Sequence, residues 1–496
     1  MLIQDILSAG QPENLALIMR DSAITYAEMG KKVAAARTQL AAHGVKRGDR
    51  VALISKNSAE FVLAYLAIVS LGAIVVPINF QLVAREIAYM VKNAGIKLLL
   101  TAQTIKLDQA LDEAGVTFPV KQLSLSDTAL WTAQGELIPP CIVDENDVAT
   151  LIFTSGTTGY PKGAMLTHKN LLSDAINFVK AFIPLTANDR VLCVLPMYHC
   201  FAWTCAVLAP LVKGAGVFIQ ETFVIRETLS IIREEGITAF FGVPAMFQLF
   251  TTWGQRNDFE KVQLLVSGGA SLPQEIANQF RAKMNRTVVE GYGLSEASPV
   301  VSVNPVDKVK TGSIGLPLPE VLVRIVGEDG TELPRGEIGE LAVSGPTIMK
   351  GYYNLPAETE RALQDGWLHT GDLAYQDDED YIFIVDRLKD MIITGGENIY
   401  PREIEELLYA YPGVTEAAVI GVPDKLRGHA ACAYLVLAEG EQLDKRKLRD
   451  YLSARVAAYK VPKDFYLLEE LPKNPTGKVL KRVLRENVLK NQAKAQ

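Results

Sequence analysis

Residues 151–168, LIFTSGTTGYPKGAMLTH, set three glycines, a proline, a lysine and five Ser/Thr hydroxyls behind a short apolar run. A strand (ATLIFTS, 149–155), a glycine-rich loop and a helix from Lys169 would form a phosphate-binding arrangement. In such a unit the glycines let backbone N–H groups converge on an anion, and the helix amino terminus adds positive potential. The spacing Gly156-Thr-Thr-Gly159-Tyr-Pro-Lys162-Gly163 differs from a kinase-type P-loop, which needs GxxxxGK followed by Ser or Thr. With no GxGxxG anywhere in the chain, a Rossmann dinucleotide site is not indicated either.

Outward from this loop, strand-like runs alternate with helical stretches: RVALIS (50–55), KLLLTA (97–102), RVLCVLP (190–196), GVFIQE (216–221), AFFGVP (239–244) and VQLLVSGG (262–269). This alternation predicts α/β layers around parallel or mixed sheets. After Gly312 the texture shifts to short strands with glycine and acidic turns, read as a β-rich subdomain. A second shift near DRLKD (386–390) introduces a small α+β domain with Pro401 in the first turn of a helix. The predicted division is an N-terminal domain over 1–386, a hinge at 387–390 and a C-terminal domain over 391–496.

At 496 residues the chain exceeds what one hydrophobic core holds. Its net charge of −7 gives no electrostatic reason to expect nucleic acid. Phe61 to Ala84 is uncharged over a membrane-spanning length, but Gly72 and Pro77 divide it into a helix ending near Leu71 and a buried strand. Five cysteines without CxxC pairing fit reduced thiols in a cytoplasmic protein rather than a zinc site, and the amino terminus lacks a secretory pattern. The basic tail, with Lys478, Lys481, Arg482, Arg485, Lys490 and Lys494, reads as a solvated helix face with room for weak peripheral membrane contact.

The opening stretch resembles the signature of the adenylate-forming superfamily of acyl-CoA synthetases, peptide-synthetase adenylation domains and firefly-type luciferases. Seven further stretches continue that pattern in order: PMYHCFAW (196–203), SGGA (267–270), EGYGLSEASP (290–299), GELAVSGPTIMKGYYN (339–354), WLHTGDL (367–373), DRLKDMIITGGENIYPREIE (386–405) and NPTGK (474–478). The likeness is strongest to bacterial long- and medium-chain fatty acid–CoA ligases.

The resemblance implies a two-step reaction. A carboxylate attacks the α-phosphate of ATP to give acyl-AMP and pyrophosphate, and the thiol of CoA then displaces AMP. It implies that Thr154, Ser155, Gly156, Thr157, Thr158, Gly159 and Lys162 hold the β- and γ-phosphates, and that Thr154 and Glu296 hold Mg2+. Gly268, Gly269 and Ala270 would wall the adenine opposite Tyr292, within Glu290, Gly291, Tyr292, Gly293 and Leu294, and Ser295 would reach the α-phosphate. Asp372 would accept the ribose hydroxyls and Arg387 would contact ribose or phosphate, with a structural ion pair between the two as the alternative. Lys478 would be the adenylation catalyst, and Lys389 the hinge that later presents Gly395, Gly396 and Glu397 to the pantetheine channel. The acyl group would meet His199, Trp203, Val243, Val266, Gly268 and Gly293, with Trp203 as a gate; the other walls, FFGVPAM (240–246) and EASPVVSV (296–303), are small and aliphatic and favour an unbranched aliphatic acid. The resemblance leaves room for a homodimer. It also leaves open an enzyme that loads a carrier protein, an aryl acid as substrate, a luciferase-like monooxygenase and a non-catalytic binding protein.

Overall fold

The computed structural model describes residues 1–132, 135–155, 161–181, 184–424, 427–474 and 477–494, with the side chains of 155, 181 and 489–494 outside that description. Two large sheets dominate the N-terminal part. The first has six strands in the order Lys121–Ser124, Leu98–Thr101, Arg50–Ile54, Ile74–Pro77, Val148–Ser155, Pro161–Thr167, parallel until the last. The helix Ala59–Ser70, started by the Ser58 hydroxyl accepting from the Phe61 N–H at 3.1 Å, is buried on every face. Its uniform apolarity therefore reflects packing inside the protein, and among the described residues no helix is long and apolar enough to cross a membrane.

The second sheet has nine strands, six of them the parallel run Val289–Gly293, Leu264–Ser267, Ala239–Gly242, Arg190–Cys193, Gly216–Ile219 and Leu15–Met19. Leu15–Met19 and its hairpin partner Ser22–Thr25 went unread in the sequence, because five residues of strand carry too little periodicity to stand out.

The opening stretch departs from its strand–loop–helix reading. Pro161–Thr167 is a second strand, antiparallel to Val148–Ser155 with Thr154 opposite Lys162, while the helix begins at His168, one residue before the expected Lys169. Thr167 and Asn170 close that helix start on itself: the Thr167 hydroxyl accepts from the Asn170 N–H at 3.0 Å and the Asn170 side chain accepts from the Thr167 N–H at 2.9 Å. The helix start is therefore closed by its own residues, and the strand Pro161–Thr167 stands between it and Lys162.

A third sheet of five strands, Leu322–Val326, Gly339–Ser344, Trp367–Gln376, Leu363–Gln364 and Ile382–Arg387, forms the β-rich part. The fourth, also of five strands, is built on the long hairpin Val414–Asp424/Gly428–Leu437 and covered by helices Pro401–Tyr409 and Lys445–Ser453 through Ile404, Leu408, Leu448 and Leu452. Between the end of the third sheet at Arg387 and the start of the fourth at Ile392 lies the short connection that carries Lys389.

The tail also differs from its reading as a solvated face. Helix Lys481–Lys494 buries Leu484 against Ala418, Ile420 and Val422, and this draws neighbouring cations into ion pairs. Lys481 meets Glu405 at 2.8 Å with both side chains 17% exposed, and Arg485 meets Asp390 at 2.7 Å, while Arg482 stays in solvent.

Candidate active site

Open parallel sheets place sites beyond the carboxyl ends of their strands, and here several such ends meet. The six-stranded sheet contributes the hairpin bearing Thr154 and Lys162; the nine-stranded sheet contributes His199, Val243, Gly268 and Gly293 just beyond its strands or at their ends. Gly156, Thr157, Thr158 and Gly159 lie outside the described residues, as does the Ser155 side chain.

The Thr154 hydroxyl donates to Glu296 Oε1 at 3.3 Å, and the Tyr352 hydroxyl donates to the same oxygen at 2.9 Å. The Lys162 ammonium lies over the Tyr352 ring, 5.3 Å from its centroid, and pairs with Glu358. Tyr352 and Glu358 were not picked out in the sequence, although they fall in and just after the GYYN motif; nothing in a linear reading says that GYYNLPAETE folds back onto residue 162. Among the described residues no three His, Cys, Asp or Glu side chains gather as a metal cage. A carboxylate beside a hydroxyl nevertheless fits Mg2+, which binds few protein oxygens and takes the rest from phosphate and water.

At the opposite end, Asp372 faces Arg387 across paired strands, with Nε to Oδ1 at 3.2 Å, so the ion pair weighed as an alternative is present. The Tyr292 hydroxyl donates to the other Asp372 oxygen at 2.5 Å. Glu340 supports this turn, accepting from the Gly371 N–H at 2.9 Å and meeting His369 at 2.8 Å. Glu290 is buried with its side chain fastened to the Leu272 N–H at 3.0 Å, just past Gly269 and Ala270, and burial pushes its carboxyl up to about 7. Gly268 lies under the Phe201 ring, which a Cβ there would approach at 2.9 Å. Phe201, within the PMYHCFAW stretch, was not singled out in the sequence. The Ser295 hydroxyl meets the Cys200 thiol at 3.2 Å, and Leu294 closes its turn by donating its N–H to the Pro299 carbonyl at 2.9 Å.

Lys478 reaches this centre from the C-terminal domain. Its N–H is held by the Asn474 side chain at 2.8 Å, and its ammonium is buried in the fields of Arg387, Asp372 and Lys389. Burial first, then the Arg387 charge, pull its pKa down to about 8. Burial and the Lys478 charge likewise lower His199 to about 4, so His199 is neutral at pH 7. Its Nδ1 accepts from the Phe201 N–H at 3.3 Å, which leaves the ring proton on Nε2. The depressed Lys478 has two consequences. The folded protein binds fewer protons than the unfolded chain between about 8 and 10.5, so this group favours folding at alkaline pH and that contribution is lost as pH falls through about 8. Where the charged form is needed, kcat/KM for adenylation should fall as pH rises through about 8, and Lys478→Arg should remove that limb. A rate profile flat to pH 10 for the native enzyme would show that the ammonium charge is not used.

On the acyl side, Val243 lines a cavity of about 300 Å³ together with Phe80, Tyr198, Phe223, Met246 and Gly477. Val266 is buried within the core. Trp203 does not line this cavity: it is buried, stacked on Tyr65 at 3.8 Å between ring centroids and tilted against Phe61. The hairpin turn Gly395, Gly396 and Glu397 is exposed to solvent, whereas Lys478 lies in the fields of Arg387 and Asp372. Lys389 is exposed, with partial desolvation and the Arg387 charge lowering its pKa.

Residues 7–353 match the AMP-binding enzyme family, and residues 403–478 match the AMP-binding enzyme C-terminal domain. A feruloyl-CoA synthase of Amycolatopsis sp is 39% identical, covering 96% of each chain. A long-chain-fatty-acid–CoA ligase of Bacillus subtilis is 34% identical over 99% of this chain and 95% of its own. The o-succinylbenzoate coenzyme A synthetase of Bacillus subtilis, solved with ATP and a magnesium ion, superposes with a TM-score of 0.86 at 32% identity, covering 97% of this chain and 98% of that one. With Lys478 of the smaller domain set in the fields of the paired Asp372 and Arg387, the chain belongs to the AMP-binding enzyme family and is an AMP-forming acyl-CoA ligase.

Proposed function

We propose that the protein activates a medium- or long-chain fatty acid. The carboxylate oxygen attacks the α-phosphorus of ATP, pyrophosphate leaves, and in the second step the CoA thiol attacks the acyl carbonyl and AMP leaves. The observation that carries the adenylation step is the seating of Lys478 beside neutral His199 and the Asp372–Arg387 pair, and the choice of a fatty acid is supported by the largely apolar cavity beside Val243 and by the likeness to a long-chain-fatty-acid–CoA ligase. Bringing one anion onto another is slow unless charge is neutralised in place, and a buried ammonium does that without reorganising solvent. Lys162 is assigned to the β- and γ-phosphates, Tyr292 and Asp372 to the nucleoside. Thr154 and Glu296 would hold Mg2+, which when bound neutralises phosphate charge. Lys389 is assigned as the pivot between the 1–386 and 391–496 domains, and Gly395, Gly396 and Glu397 as the turn used in thioester formation.

A second reading, an aryl acid such as a hydroxycinnamate, is favoured by the 39% identity to a feruloyl-CoA synthase. Pyrophosphate release should be measured with saturated acids from acetate to palmitate and with ferulate, each with and without CoA. CoA-stimulated turnover greatest at medium or long chains supports the first reading, and greatest with ferulate the second. Release that CoA fails to accelerate would point to a carrier protein as acceptor.

A further inference from the structure

The residue paired with Lys162 is anionic, and a lysine assigned to phosphates has no need of a carboxylate partner once they arrive. We propose that Glu358 is a positioning residue that holds Lys162 while the site is empty and competes with phosphate for its ammonium, weakening pyrophosphate retention. The inference rests on the assignment of Lys162 to the β- and γ-phosphates.

Three features make this a built arrangement. Lys162 and Glu358 are well covered, at 13% and 19% side-chain exposure, so their pairing is not a transient surface contact. The two Glu358 oxygens serve different cations: one takes Lys162, the other Arg361 at 2.9 Å, and Arg361 is 70% exposed and far less constrained. When Lys162 turns to a phosphate, Glu358 therefore keeps a counter-ion, and both states of the lysine are partnered. Finally, Glu358 is fixed relative to the site. Its helix, Pro356–Ala362, is latched where the Thr359 hydroxyl accepts from the Tyr352 N–H at 2.9 Å, and Tyr352 lies beneath Lys162 and bonds Glu296. The carboxylate cannot withdraw from an arriving phosphate, so its repulsion is felt by any anion that Lys162 binds. ATP has further anchors in its adenine and ribose; pyrophosphate has none, and it bears this repulsion without compensation.

The experiment compares Glu358→Gln, Glu358→Asp, Lys162→Met and the double variant Lys162→Met/Glu358→Gln. It reads pyrophosphate inhibition, KM for ATP, kcat, and the melting temperature as a check on folding. In Glu358→Gln, pyrophosphate should inhibit at about fivefold lower concentration, the scale of one partly screened ion pair. KM for ATP should fall, kcat should not rise, and Glu358→Asp should return towards native values. In the Lys162→Met background the effect of Glu358→Gln should shrink, since competition for the ammonium is gone and only the direct repulsion between carboxylate and phosphate is left. The proposal is overturned if Glu358→Gln weakens pyrophosphate and ATP as Lys162→Met does, if it changes neither, or if it acts undiminished without Lys162. Unchanged ATP and pyrophosphate affinity in Lys162→Met would instead overturn the phosphate assignment of Lys162 itself.

Discussion

Lys478→Ala is expected to slow adenylation by about 10²–10³-fold, the scale of losing one preorganised donor to a developing anion. Transfer to CoA from supplied acyl-AMP is expected to survive largely intact. The asymmetry follows from where Lys478 sits. Its ammonium is buried beside Arg387, Asp372 and His199, where two anions must meet in the first step. The second step joins a thiol to an already activated carbonyl and needs no such neutralisation. Burying a charge that its surroundings push towards neutrality costs stability, so the alanine variant should fold at least as well as the native protein at pH 7. The two half-reactions can be followed separately, by pyrophosphate exchange and by CoA consumption from synthetic acyl-AMP. Equal loss in both would remove Lys478 from the role of adenylation catalyst and make it a general structural element of the site.

Gly293→Ala should be the most damaging small substitution near the centre, lowering stability by about 3 kcal/mol, the upper end for overpacking. A Cβ at residue 293 would stand 1.9 Å from the Pro299 carbonyl oxygen and 3.1 Å from the Val300 Cα. These are backbone atoms, so no rotamer change relieves the clash. The same carbonyl accepts the Leu294 N–H at 2.9 Å, closing the loop that carries Ser295 and Glu296. Opening that loop would move Glu296 away from Thr154 and Tyr352, and adenylation should fall at least tenfold by displacement alone. Urea melts paired with pyrophosphate release test this. An unchanged melt with unchanged activity would mean the loop accommodates the methyl group and is not held as tightly as its hydrogen bond suggests.

Much of the architecture was legible because its signals are local. Runs such as RVALIS and AFFGVP are short, apolar and bounded by turns, and each forms a strand where expected, Arg50–Ile54 and Ala239–Gly242. Glycine texture after Gly312 and Pro401 at a helix start likewise act within a few residues. The hairpin after the glycine loop was misread because GAMLT carries too few residues to declare a period. Pairing with Val148–Ser155, a tertiary fact, decided it. The tail was misread for a related reason: its charges looked solvated until Leu484 drew the helix against Ala418 and Ile420.

The sequence by itself determined the order of motifs, the α/β class and the chemistry of each candidate side chain, since these depend on residue type and near neighbours. Only the tertiary structure decided which charges meet. Glu358 reaches Lys162 across 196 residues, and Asp372 faces Arg387 because two strands pair in one register. Lys478 acquires its lowered pKa from burial among groups that lie far from it in the chain. Electrostatic energy depends on distance and dielectric, and neither is fixed until the chain has folded.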